Sequence, residues 1–196
     1  NNLGVIAVQQ GRYEAALEFY EKALILSVEI GYRRDEGLCL NNIGRIYSER
    51  CQFTKAHAHL EHALTLSREI GDKMVKSNTL LSLGRNSLYL GDYESAKTCF
   101  DESFDIKLEM NDAYGEAELL IYQGLLAHLQ ANNHAAIEKL QSGLTKARLA
   151  HGTFLIYFAR TTLGHALVAL NQLESAKEHY ELALTGRTNS QQIHLS

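Results

Sequence analysis

The chain has no proline and no tryptophan among its 196 residues, and only three cysteines. It also has no apolar run near the ~18 residues that a membrane span needs. Each absence excludes something. Without proline no backbone donor is removed, and without strand-like alternation the sequence predicts an all-α protein. Cys39, Cys51 and Cys99 are odd in number and lack metal-ligand or redox spacing. Three free thiols predict a reducing, cytoplasmic location rather than a disulfide framework. No lysine- or arginine-rich stretch occurs and the net charge is -4, so neither nucleic acid nor a membrane is a predicted partner. No initiator methionine or signal-peptide pattern opens the chain, which predicts a fragment of a longer protein.

Catalytic signatures are missing as well. There is no G-x-S-x-G, Walker loop or G-x-G-x-x-G, so no enzyme activity and no cofactor are predicted. The stretch KAHAHLEHAL offers His57, His59 and His62. His59 and His62 share a helix face, but His57 lies about 200° from His59 on the helical wheel. Three or four converging ligands are needed for zinc, so no metal site is predicted.

What is present is a period of forty residues. Glycine falls at Gly4, Gly44, Gly84, Gly124 and Gly164, and alanine at Ala16, Ala56, Ala96, Ala136 and Ala176. An apolar or aromatic residue follows each alanine by four: Tyr20, Leu60, Phe100, Leu140 and Tyr180. Two invariant columns over five rows mark an internal repeat. Each row reads as two helices, such as 34–49 and 53–70. The breaks contain Gly11, Cys51, Gly91 and the ANN of row four, then EIGY, EIGD, EMND and LAHG. Glycine or asparagine there is expected in the left-handed conformation that ends a helix. No linker interrupts the rows, so repeats 1–40, 41–80, 81–120, 121–160 and 161–196 are expected to form one domain. A lone helix pair cannot bury its apolar face, so the pairs must stack into a solenoid.

These columns resemble the tetratricopeptide repeat, with its W-x-x-L-G-x-x-Y, A-x-x-x-F and small-residue pattern. The best match is Leu40, Ile43, Gly44 and Tyr47 followed by Ala56, Leu60 and Ala63. Row three gives Leu80, Leu83, Gly84, Ala96, Phe100 and Ser103. Row four departs most, with Gln123 at the leucine position and Gly143 at the second small position. The forty-residue form is similar to repeats of spindle-orientation adaptors and to repeat tails of bacterial signalling ATPases and transcriptional regulators. The resemblance implies a right-handed α-solenoid of about ten helices, stacked as antiparallel pairs.

The wheel separates the faces of each first helix. With Leu40 at 0° and 100° per residue, Ile43, Gly44 and Tyr47 form a stripe near 300–40°. Asn42, Arg45 and Glu49 fall near 140–200°, and Asn41 near 100° on the flank. The same columns in other rows give Asn2, then Asn78, Ser82 and Arg85, then Tyr122 and Leu125, and finally Phe158 and His165. In the family that this chain resembles, first helices line a concave groove that holds a peptide or helix. That implies a groove wall, polar in rows one to three and apolar in rows four and five. The expected partner is a protein or peptide segment with an acidic part over Arg45 and Arg85 and an apolar part over Tyr122 and Phe158. The alternative is a regulatory segment of a larger bacterial signalling ATPase or transcriptional regulator. Homo-oligomers through exposed repeat ends are a third expectation, and the tail 186–196 is a candidate cover for the apolar end.

Overall fold

The computed structural model describes residues 2–193, with side chains placed through residue 185. Ten α-helices follow one another: α1 Asn2–Gln9, α2 Tyr13–Glu29, α3 Arg33–Glu49, α4 Phe53–Ile70, α5 Lys73–Leu90, α6 Tyr93–Glu109, α7 Ala113–Leu129, α8 Asn133–Leu149, α9 Thr153–Ala169 and α10 Leu173–Ile193. No strand occurs among the described residues. The fold is an α-solenoid of helix pairs. Where the unbroken period predicts a single array, the contacts gather into two compact units, Asn1–Ile106 and Lys107–Ser196, and α6 carries the boundary.

Pair packing follows the two invariant columns. A Cβ built on Gly4, Gly44, Gly84 or Gly124 would stand 2.5–2.6 Å from Tyr20, Leu60, Phe100 or Leu140 respectively, and Gly164 meets Tyr180 in the same way. Only a residue without a side chain lets the first helix approach the second this closely. Ala16, Ala56, Ala96, Ala136 and Ala176 are all at most 1% exposed. Gln123, the polar intruder of row four, is buried and accepts a hydrogen bond from Lys139 Nζ at 3.0 Å. That bond meets the cost of placing an amide at a leucine position.

The joints obey a finer period. Gly11, Gly31, Cys51, Gly71, Gly91, Asn111, Ala131, His151 and Asn171 all have positive φ, between 53° and 76°, and stand twenty residues apart. Each closes a Schellman turn. At the first, Gly11 N–H donates to Val8 O and Arg12 N–H to Ala7 O, both at 2.9 Å. The same pair recurs as His151 to Arg148 at 3.2 Å and Gly152 to Ala147 at 2.8 Å. One expectation is corrected here: in LAHG the left-handed residue is His151, not the glycine, and in the ANN turn of row four the same place is taken by Ala131. Gly152 has φ -79° and precedes α9, with Tyr114 3.1 Å from where its Cβ would be. Helix length sets the position of the turn, and residue preference yields to it.

Candidate functional site

In the first unit the candidate face is carried by α1, α3 and α5. Asn2 and Arg45 are exposed, Asn42 and Asn78 half-exposed, and the Arg85 side chain is 17% exposed. Arg45, Ser48, Glu49, Ser82 and Arg85 line one shallow hollow. Arg85 Nη2 pairs with Glu49 Oε1 at 2.6 Å, across the step from one repeat to the next. Arg45 also lies close enough to Tyr20 to act on its phenol. Burial raises the Tyr20 pKa and the Arg45 charge opposes that rise.

Ser82 sits differently from its expected place on the open wall. It is buried, and its single hydroxyl proton is shared between Asn41 Oδ1 at 2.8 Å and Asn78 O at 3.0 Å. Asn41, on the flank of the wheel, is 4% exposed. Farther along, Ser48 Oγ donates to Asn86 Oδ1 at 2.9 Å, and Asn86 Nδ2 donates to Phe53 O at 3.3 Å. Together these groups form a buried polar seam between α3 and α5. Sequence reasoning missed Asn41, Ser48 and Asn86. A signal existed, because Asn41 and Ser48 are seven apart and fall on one flank, near 80–100°.

In the second unit α7 and α9 carry rings instead. Tyr122 is buried, and its ring centroid lies 5.3 Å from that of Phe158. Phe154, 67% exposed and absent from the sequence-based candidates, stacks on Phe158 at 6.2 Å. His165 is exposed and stacks against His128 at 6.3 Å, while Leu125 is half-buried. Tyr122 thus joins α7 to α9 rather than standing open, and Phe154 and Phe158 present the accessible apolar surface. The covering role considered for residues 186–196 falls outside the described side chains.

The three histidines of α4 do not form a ligand set. His57 is 4.0 Å from Glu61, and His59 stacks on Tyr47 at 5.4 Å. Burial and then the His62 charge lower the His59 pKa, which favours the neutral ring. Among the described residues no three His, Cys, Asp or Glu side chains converge as metal ligands. Cys99 is half-buried, and burial pushes its thiol up to about 11, so it is protonated and a poor nucleophile. No described helix is long and apolar enough to cross a membrane.

A family profile described as tetratricopeptide repeat matches residues 1–69, and a second of the same description matches 77–109 and 159–185. The chain belongs to the tetratricopeptide repeat family. No curated protein matches it. Among solved structures this repeat chain is similar to BtubC (BKLC) from P. vanneervenii, with 17% identity, a TM-score of 0.77, and coverage of 96% of this chain and 78% of the other. It is similar to a Rap protein complexed with competence and sporulation factor, at 13% identity and TM-score 0.86, covering 94% and 52%. A third likeness is to aspartyl phosphate phosphatase F from Bacillus subtilis, at 15% identity and TM-score 0.80, covering 95% and 49%. The tetratricopeptide repeat chain therefore spans about half the length of the last two. At these identities the likeness is one of fold.

Proposed function

We propose that this chain is a protein-interaction module that binds a peptide or helix of a partner on the face formed by its first helices. The observation that carries the reading is the division of each first helix. One stripe, which holds the glycine column, is consumed by packing against the second helix of the pair, while the opposite side leaves Asn2, Asn42 and Arg45 accessible in one unit and Leu125, Phe158 and His165 in the other. Asparagine amides both donate to and accept from a peptide backbone. Arg45 suits a carboxylate through bidentate pairing. At Arg85 a partner carboxylate has to displace Glu49. Phe158 and the neighbouring Phe154 offer an anchor surface for an aliphatic or aromatic side chain. Family membership and a Rap protein of similar fold, solved in complex with competence and sporulation factor, support a partner of this class. A cytoplasmic location accords with the free thiols.

An array of acidic-apolar peptides, followed by fluorescence anisotropy of the best binder, tests this. Arg45→Glu is expected to weaken binding about tenfold or more, the scale of a lost charge-assisted hydrogen bond. Glu49→Gln is expected to strengthen it by removing a competing carboxylate. Equal affinity of wild type and Arg45→Glu would contradict the assignment. A second reading is a regulatory repeat segment of a larger signalling protein, favoured by the half-length coverage of the phosphatase and Rap structures. Demonstrating a catalytic or DNA-binding domain in the parent protein would favour it.

A further inference from the structure

The fifth row breaks a buried column. Leu40, Leu80 and Leu120 occupy it at 3%, 2% and 9% exposure, and its fourth member is Arg160 of α9, also 9% exposed. Arginine keeps its charge in proteins, and a buried charge needs a counter-charge or full hydrogen bonding. Arg160 has no hydrogen bond or ion pair among the described residues, and since none of its nitrogens is fully buried its head group keeps a narrow contact with solvent while its stem lies in the leucine column. Burial, then the like charge of Arg148 on α8, hold its pKa below the ordinary value, and Glu178 on α10 opposes them. Glu178 and Arg148 are both exposed at the rim.

A second group nearby is equally short of a partner. His179 of α10 is half-buried, and its Nδ1 is buried with no hydrogen-bond partner. Burial and then the Arg160 charge lower its pKa, with Glu178 opposing and Arg148 adding to the fall. The polar residues that share its column in other rows are occupied: Lys139 donates to Gln123, and His59 stacks on Tyr47. Arg160 follows Phe158 by two residues, which turns it about 200° away from the proposed peptide face.

We propose that Arg160 and His179, with Arg148 at the rim, form a site between α8, α9 and α10 for a single oxyanion group, a carboxylate or a phosphate. The guanidinium fork takes two oxygens of such a group. His179 in its Nδ1–H form donates a further hydrogen bond, and Arg148 adds charge. The ligand supplies the counter-charge that the leucine column denies Arg160. This site stands independently of the peptide-binding reading.

The test is thermal unfolding and titration calorimetry of the chain in inorganic phosphate and in acetate, each against chloride at equal ionic strength. Wild type is expected to unfold several degrees higher in at least one of the two anions and to titrate as one site. A response to phosphate alone assigns a phosphoryl group, and a response to acetate assigns a carboxylate. Arg160→Leu, which restores the column, is expected to raise the midpoint in chloride and to abolish the anion response. His179→Phe, the row-one residue, is expected to weaken the anion about tenfold, as for one lost charge-assisted bond. No anion response in wild type would overturn the proposal, and so would an undiminished response in Arg160→Leu.

Discussion

Where α3 meets α5 the helices are joined by hydroxyl and amide groups, through Asn41–Ser82 at 2.8 Å and Ser48–Asn86 at 2.9 Å. Where α7 meets α9 they are joined by rings, through Tyr122–Phe158 at 5.3 Å and His128–His165 at 6.3 Å. The two units share the glycine and alanine columns, so the packing within each pair is common to both. Their flanks differ. A polar seam is directional, and every buried group in it needs its partner. An aromatic seam gains from area and tolerates small shifts. The repeat thus holds pair packing constant and leaves the chemistry between repeats, and on the open face beside it, to vary.

That contrast can be broken in graded steps. The largest effect is expected in the shared columns: Ala96→Leu and Ala136→Leu should each cost up to about 3 kcal/mol by overpacking, equally in the two units. Urea denaturation reads this, and unchanged midpoints would contradict the alignment. Next, Asn86→Ala strands the Ser48 hydroxyl and should cost about 2 kcal/mol. The double change Ser48→Ala with Asn86→Leu, which makes the polar seam apolar like its counterpart, should come much closer to wild type. A double variant as unstable as Asn86→Ala would show that the seam is not a matter of partner satisfaction.

At the joints, His151→Gly and Ala131→Gly should each stabilise by about 1 kcal/mol, because both residues hold a left-handed conformation that glycine adopts without strain. Equal or lower melting temperatures would argue against those backbone angles. The smallest effect concerns pH. Burial acts to raise the Asp112 carboxyl, but hydrogen bonds from Lys107 at 2.8 Å and Gly115 N–H at 2.9 Å outweigh it and hold the pKa below the ordinary 3.8. A depressed folded pKa stabilises above the unfolded value, and that stabilisation disappears as pH falls through the folded one. Asp112→Asn should therefore flatten the acid limb of a stability–pH curve below about pH 4. A limb unchanged by the substitution would assign the acid sensitivity elsewhere.

The helix pairs were legible because their columns depend on spacing and size, which any row displays. Gly44 against Leu60 is one such pair, and the half-buried Tyr13, Phe53 and Tyr93 at the turns are another legible feature. Ala131 and His151 were not legible as left-handed residues, since their type disfavours that conformation and only the twenty-residue spacing locates them. The site was read in part. Arg45 and Asn42 keep the accessibility that the wheel implies, while Ser82 and Tyr122 do not. A wheel describes one helix and cannot show which flank meets the first helix of the next repeat. The same blindness hid Asn41, Asn86 and Phe154.

The central claim is that the first helices, not the second, read the partner. An amide chemical-shift titration of the labelled chain with the best peptide from the array tests it most directly. The account predicts that the largest shifts gather on α1, α3 and α5 around Asn2, Asn42 and Arg45, and on α7 and α9 around Leu125 and Phe158. Shifts confined to the second helices, α2, α4, α6, α8 and α10, would contradict it.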